Sequence, residues 1–160
     1  MRARLQSLEQ LMPFATAGEL LAEDRQAVVT ISPGARAGAA AQRMTAEDIG
    51  FLAVLEGSKL VGVLSERDIV RAVSLQHLTL VRDIMTTRVH TVAPDAKVPE
   101  CLTVMQREHI RHLPVMSGDT IHGVLSVRDL TGSLVERHER LLRRLEEERF
   151  VLLSPNTGSY

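Results

Sequence analysis

Two stretches carry residue types at a spacing suited to chemistry: Gly62-Val63-Leu64-Ser65-Glu66-Arg67-Asp68 and Gly123-Val124-Leu125-Ser126-Val127-Arg128-Asp129. In each, an apolar run ends on a serine and an aspartate follows three residues later. Where such a run is a strand turning into a helix, the helix N-terminus offers unpaired amide donors and a partial positive charge, which suits a phosphate. The preceding glycine lets backbone come close to a ligand. Ser65 and Ser126 add a hydroxyl donor, Asp68 and Asp129 can accept both hydroxyls of a ribose, and Arg67 and Arg128 add charge. The same spacing also makes a helix capping box, in which serine and acid satisfy the free amide groups. The cap belongs to any account of these residues, whether or not a ligand is added to it.

Other chemistry is sparse. His109 and His112 stand three apart without a cysteine or third histidine at ligand spacing, so no metal site is expected. There is no Gly-x-Ser-x-Gly elbow, Walker loop or His-Glu-x-x-His, so no enzyme is expected either. The single Cys101 cannot close an intramolecular disulfide, and its place on an apolar helix face predicts a buried, inert thiol. The 160 residues include 19 Lys+Arg against 20 Asp+Glu, three Phe, one Tyr and no Trp. That balance gives no field for a phosphodiester backbone and almost nothing for unpaired bases to stack on, which argues against a nucleic-acid partner. No uncharged apolar stretch approaches the roughly 20 residues that cross a bilayer, and the first residues lead into polar sequence. A cytoplasmic protein without a membrane partner is the expectation.

The elements that must position these residues come as a repeat. Sliding the chain by 61 residues lays positions 28–71 over 89–132 without a gap, with 16 of 44 pairs identical. Val28-Val29-Thr30-Ile31 and Val89-His90-Thr91-Val92 read as short strands that stop at Pro33 and Pro94. Helices follow, with apolar residues at helical spacing: Ala37, Ala40, Ala41 and Met44, then Val98, Cys101, Leu102 and Met105. Two apolar runs joined by Gly57-Ser58 or Gly118-Asp119 make a hairpin in each copy, and a second helix starts after Ser65 or Ser126. Each copy thus reads β-α-β-β-α. Two sheets this small are expected to pack face to face around a pseudo-two-fold axis, an α/β (α+β) fold. The expected division is an N-terminal extension over 1–14, repeats over 15–75 and 79–134, a charged amphipathic helix over 135–150 and a tail over 151–160. The charged helix carries Leu134, Leu141, Leu142 and Leu145 as its apolar stripe, with pairs such as Glu139 and Arg143 four apart.

With its β-α-β-β-α order, Val-x-Thr-Ile/Val-x-Pro opening, Arg111-His112-Leu113-Pro114-Val115 strand and Gly-h-h-Ser-x-Arg-Asp close, the chain resembles a tandem pair of CBS (cystathionine β-synthase) domains, a Bateman module, over roughly residues 15–134. The resemblance implies a regulatory module that binds AMP, ADP, ATP, NAD or S-adenosylmethionine between the repeats. It implies that Asp68 and Asp129 hold ribose and that Ser65 and Ser126, beside Arg67 and Arg128, meet ribose or phosphate. Thr30, Ile31 and Pro33 of the first copy, and Thr91 and Val92 of the second, would line the adenine pocket. Arg111 and His112, ahead of Leu113 and Pro114, are similar in position to phosphate-contacting basic residues in the γ subunit of AMP-activated protein kinase. Their counterparts in the first copy are Gly50 and Phe51, and Ala53 stands where the family usually has proline. A guanidinium grips phosphate in bidentate fashion and glycine cannot, so the two sites are expected to be unequal. Two functions remain open: a nucleotide sensor acting in trans through a homodimer or a protein effector, and a structural pairing module with vestigial sites.

Overall fold

The computed structural model of the chain describes residues 15–24, 27–74 and 80–153. The N-terminal extension over 1–14 and residues 154–160 of the tail lie outside the described residues. The first unit contains β1 (Thr30–Ile31), α2 (Ala37–Ala46), β2 (Phe51–Glu56), β3 (Lys59–Ser65) and α3 (Glu66–Ser74), preceded in the chain by α1 (Ala17–Asp24). The second contains α5 (Val98–Arg107), β4 (His112–Ser117), β5 (Thr120–Ser126) and α6 (Val127–Leu153), preceded by α4 (Val81–Ile84). This is the expected mixture of small sheets and helices, with a C-terminal helix.

Local chemistry explains the elements. Alanines 37 and 40 with Met44, and Val98 and Cys101 with Met105, fall on the buried faces of α2 and α5 as helical spacing requires. Pro99 sits in the first turn of α5, where its missing donor costs nothing. Both helices end in the same way. Ile49 N–H donates to Met44 O at 2.9 Å and Ile110 N–H to Met105 O at 3.0 Å, closing Schellman turns around Asp48 (φ 51°) and His109 (φ 54°). Aspartate and histidine tolerate this left-handed conformation better than branched residues do. The hairpins turn at Gly57 and Gly118, both at positive φ, and each carries an irregularity at the same place, Val54/Leu55 and Val115/Met116.

Two expectations are corrected. The second opening strand is reduced to one parallel bridge, Val92 to Val115, and the first to the two residues of β1, which pairs in parallel with β2. Facing a single neighbour, these segments have partners on one side only. The supposed separate helix over 135–150 is the continuation of the helix that begins at Val127, 27 residues in all. No proline interrupts it, Gly132 lies in open space, and pairs Glu136–Arg140 and Glu139–Arg143, each 3.4 Å, brace the exposed side. Of its apolar stripe, Leu134 packs on the second core, Leu141 is half-buried and Leu142 is exposed; the Leu145 side chain lies outside the described residues.

Each lead-in helix serves the other unit. Ala15, Ala17 and Leu20 are buried in the second core with Val98, Leu113, Val115, Leu125 and Leu130, whereas Val81 is buried in the first with Leu52, Val54 and Leu64. Matching hydrogen bonds fix both clasps: Ala17 N–H to Ala96 O and Gly18 N–H to Pro94 O, against Val81 N–H to Ala35 O and Arg82 N–H to Pro33 O, all 2.8–2.9 Å. Gly62 and Gly123 belong to these clasps. A Cβ on Gly62 would meet Met85 Sδ at 2.7 Å, and one on Gly123 would meet Leu21 Cδ2 at 2.5 Å. Those glycines admit neighbouring helices, not a ligand.

Candidate functional site

Each serine–aspartate pair forms at the strand-to-helix junction and caps its helix. Ser65 N–H donates to Asp68 Oδ2 at 2.8 Å and the Ser65 hydroxyl donates to the same oxygen at 2.6 Å. In the second unit the box is reciprocal: Ser126 N–H donates to Asp129 Oδ2 at 2.6 Å and Asp129 N–H to Ser126 Oγ at 3.2 Å. Among the described residues, Oδ1 of neither aspartate receives a hydrogen bond. The cap therefore fixes the carboxylate and leaves one oxygen for a ligand.

Two clefts open beside these junctions, and each is built from both units. The Asp68 cleft, about 390 Å³, brings Ser65, Arg67, Asp68 and Arg71 of the first unit to face 88–90 and 108–112 of the second. The Asp129 cleft, about 510 Å³, brings Ser126, Arg128 and Asp129 of the second to face 27–29, 48–51 and Glu66 of the first. Shifting one set by 61 residues gives nearly the other, so the clefts are related by the repeat. Phe51 and His112, counterparts under that shift, stack with ring centroids 5.0 Å apart and planes at 27°, and both residues border both clefts. Arg111 also borders both.

The electrostatics are uneven. Burial pushes the His112 imidazole below its ordinary pKa, helped by the Arg111 charge and opposed by Asp129 and Glu66. In the Asp68 cleft, Glu108 is held below the carboxylate range, first by the hydrogen bond from Arg107 Nε at 2.7 Å; its other oxygen stands 3.4 Å from His90 Nε2. Burial raises the Cys101 thiol, with Glu100 adding to it, away from either cleft. Among the described residues no three His, Cys, Asp or Glu gather as metal ligands.

The sequence-predicted residues divide accordingly. Ser65, Arg67, Asp68 and Pro114 reach one cleft, Ser126, Arg128 and Asp129 the other, and Arg111 and His112 both. Thr30, Ile31, Pro33, Thr91, Val92 and Leu113 line neither. Ile31 and Val92 pack on the two cores, Leu113 is fully buried, Thr30 is paired with Ala53, and Pro33 receives the α4 clasp. Thr91 is exposed. The apolar lining comes instead from the residues just before, Val28 and Val29 or Val89. Sequence reasoning missed Arg71, Arg88, Glu66 and Glu108. For the last two the sequence held a signal: Glu108 is the counterpart of Glu47 at the same helix end under the 61-residue shift, and Glu66 immediately follows the capping serine.

The CBS domain family model matches residues 18–75 and 81–136. An uncharacterized 17.7 kDa protein of the bps2 3′ region of Acidianus ambivalens is 32% identical over 124 residues, 76% of each chain. The crystal structure of the CBS domain protein NE2398 superposes with a TM-score of 0.73 at 35% identity, over 76% of this chain and 98% of that one. The CBS domain pair of protein MJ0100, solved with 5′-methylthioadenosine and S-adenosyl-L-methionine, shares the fold with a TM-score of 0.72 at 21% identity, over 78% and 99%. With two family matches covering most of its length in tandem, this chain belongs to the CBS-domain family.

Proposed function

We propose that this chain is a regulatory module that binds an adenosine-containing ligand, AMP, ADP, ATP, NAD or S-adenosylmethionine, in the clefts between its repeats and signals by a conformational or oligomeric change. One observation carries the reading: each cleft joins the capped aspartate of one unit to the wall of the other. A ligand held there touches both halves, so its binding energy bears on how they pack. The free Oδ1 of Asp68 or Asp129 suits ribose hydroxyls, the capped helix ends and arginines suit phosphate, and valine side chains suit a base. The fold holds adenosine compounds in the MJ0100 pair. No catalytic role is assigned to any residue, and the module acts in trans on a second copy or a protein effector in the cytoplasm.

A thermal-shift panel of AMP, ADP, ATP, NAD, S-adenosylmethionine and guanine counterparts tests this. A ligand at a hundredfold its dissociation constant adds roughly 2.7 kcal/mol of stability. A melting temperature unmoved by every adenosine compound would sink the sensor reading. It would favour the alternative of a structural pairing module, for which the exposed Val70 and Val73 of α3 and Val135 and Leu142 of α6 offer apolar surface.

A further inference from the structure

The two clefts share one architecture but carry different charge, and the difference traces to a few paired positions. Among the described residues, Arg67, Arg71, Arg88 and Arg111 of the Asp68 cleft face Asp68 and Glu108 alone, with His90, His109 and His112 beside them. Glu108 is already engaged by Arg107 from outside the cleft, at 2.7 Å. Among the described residues of the Asp129 cleft, Arg111 and Arg128 face Asp48, Glu66 and Asp129, with His112 the one imidazole on its wall. Where the second unit places Arg111, the first has Gly50. A Cβ there would lie 2.9 Å from Glu66 Oε2, so the carboxylate covers the spot from which an arginine would reach a phosphate. Glu66 takes that position because the N–H of the first residue of each helix bonds back across the junction, Glu66 to Gly50 O at 3.1 Å and Val127 to Arg111 O at 2.9 Å. Val127, its counterpart, brings no charge.

We infer that the two clefts sort adenosine ligands by the charge at the 5′ position. The Asp68 cleft takes an adenosine bearing a phosphate chain, and the Asp129 cleft takes one whose 5′ substituent is neutral or cationic. This rests on the reading that both clefts hold adenosine. A phosphate chain gains charge-assisted hydrogen bonds from up to four guanidiniums in the first cleft, while in the second it meets a wall that carries Glu66 and Asp48.

Calorimetric titration of the full chain with ATP and with 5′-methylthioadenosine, singly and together, tests the sorting. ATP is expected to bind one site per chain and 5′-methylthioadenosine another, neither displacing the other at its preferred cleft. Arg88→Ala is expected to weaken ATP about tenfold, the scale of one charged hydrogen bond, and to leave 5′-methylthioadenosine unchanged. Glu66→Gln, an exposed change, is expected to admit ATP to the second cleft and raise its stoichiometry toward two. ATP filling both clefts of the unaltered protein equally, or displacing 5′-methylthioadenosine at one shared site, would overturn the sorting while leaving the sensor reading intact. Failure of either compound to bind would also overturn the sorting; the sensor reading would fall with it only if AMP, ADP, NAD and S-adenosylmethionine likewise left the melting temperature unmoved.

Discussion

The His112 imidazole rests on Phe51 between the clefts, and its titration ties folding to pH. Burial holds its folded pKa below the ordinary 6.5. The unfolded chain therefore takes up a proton that the folded chain refuses as pH falls through that value. The sign follows: stability is full above 6.5 and declines as pH drops toward the folded pKa. Melting temperatures measured across that window are expected to fall with acidity, and His112→Asn is expected to flatten the part due to this residue; parallel curves for both proteins would refute the assignment. Cys101 gives a second residue-scale prediction. Fully buried and with its thiol raised in pKa, it should resist iodoacetamide in the native protein and react once denaturant is added. Burial of Cys101 was legible from its place on the α5 apolar face. The cleft arginines were legible only where a motif marked them. Arg67, Arg111 and Arg128 stand at recognisable junctions, whereas Arg71 and Arg88 reach the cleft through helix phase and chain reversal, which residue types alone do not report.

Elements show the same division between local and distant causes. Helix faces, hairpin turns and caps follow from spacing within a few residues, and the helical face, hairpin glycines and serine–aspartate boxes are all where that spacing puts them. The opening segment of the second unit was not, because β-branched composition also suits an extended edge with one bridge. The motif glycines are the sharper case. Their spacing suggested room for a ligand, yet Gly62 and Gly123 lie beneath Met85 and Leu21, residues distant in the chain. Gly123→Ala is expected to destabilise the protein by about 1–3 kcal/mol, since its Cβ would meet Leu21 at 2.5 Å in a packed contact. Gly118→Ala, in open space but at φ 57°, makes the useful comparison: its cost comes from backbone strain and should leave α1 in place. Chemical denaturation of both, with amide exchange read at α1, separates them; equal exposure of α1 in the two variants would contradict the clasp.

At the scale of the molecule, the exchange of lead-in helices makes the two repeats one cooperative object, which no count of repeat identities reveals. The 61-residue shift places like over like, but α1 follows the second unit and α4 the first. Boundaries drawn on the repeat would therefore cut through both cores. Leu20 is the residue that tests this, because it is 6% exposed, lies in the first family match, and contributes its side chain to the second core. Leu20→Ala should cost about 2–5 kcal/mol, the range for emptying a buried leucine site. The loss should show first at a distance along the chain. Amide exchange is expected to accelerate in β4 and β5 before β2 and β3, because the opened cavity faces Leu113, Val115 and Leu125. If exchange instead accelerated first in β2 and β3, α1 would be serving its own repeat and the clasp would be wrong. A ligand in either cleft should slow exchange in both units together, since each cleft has one wall from each. Protection confined to one unit would mean that binding energy does not reach the packing between repeats, and a sensor built on that packing would have no signal to send.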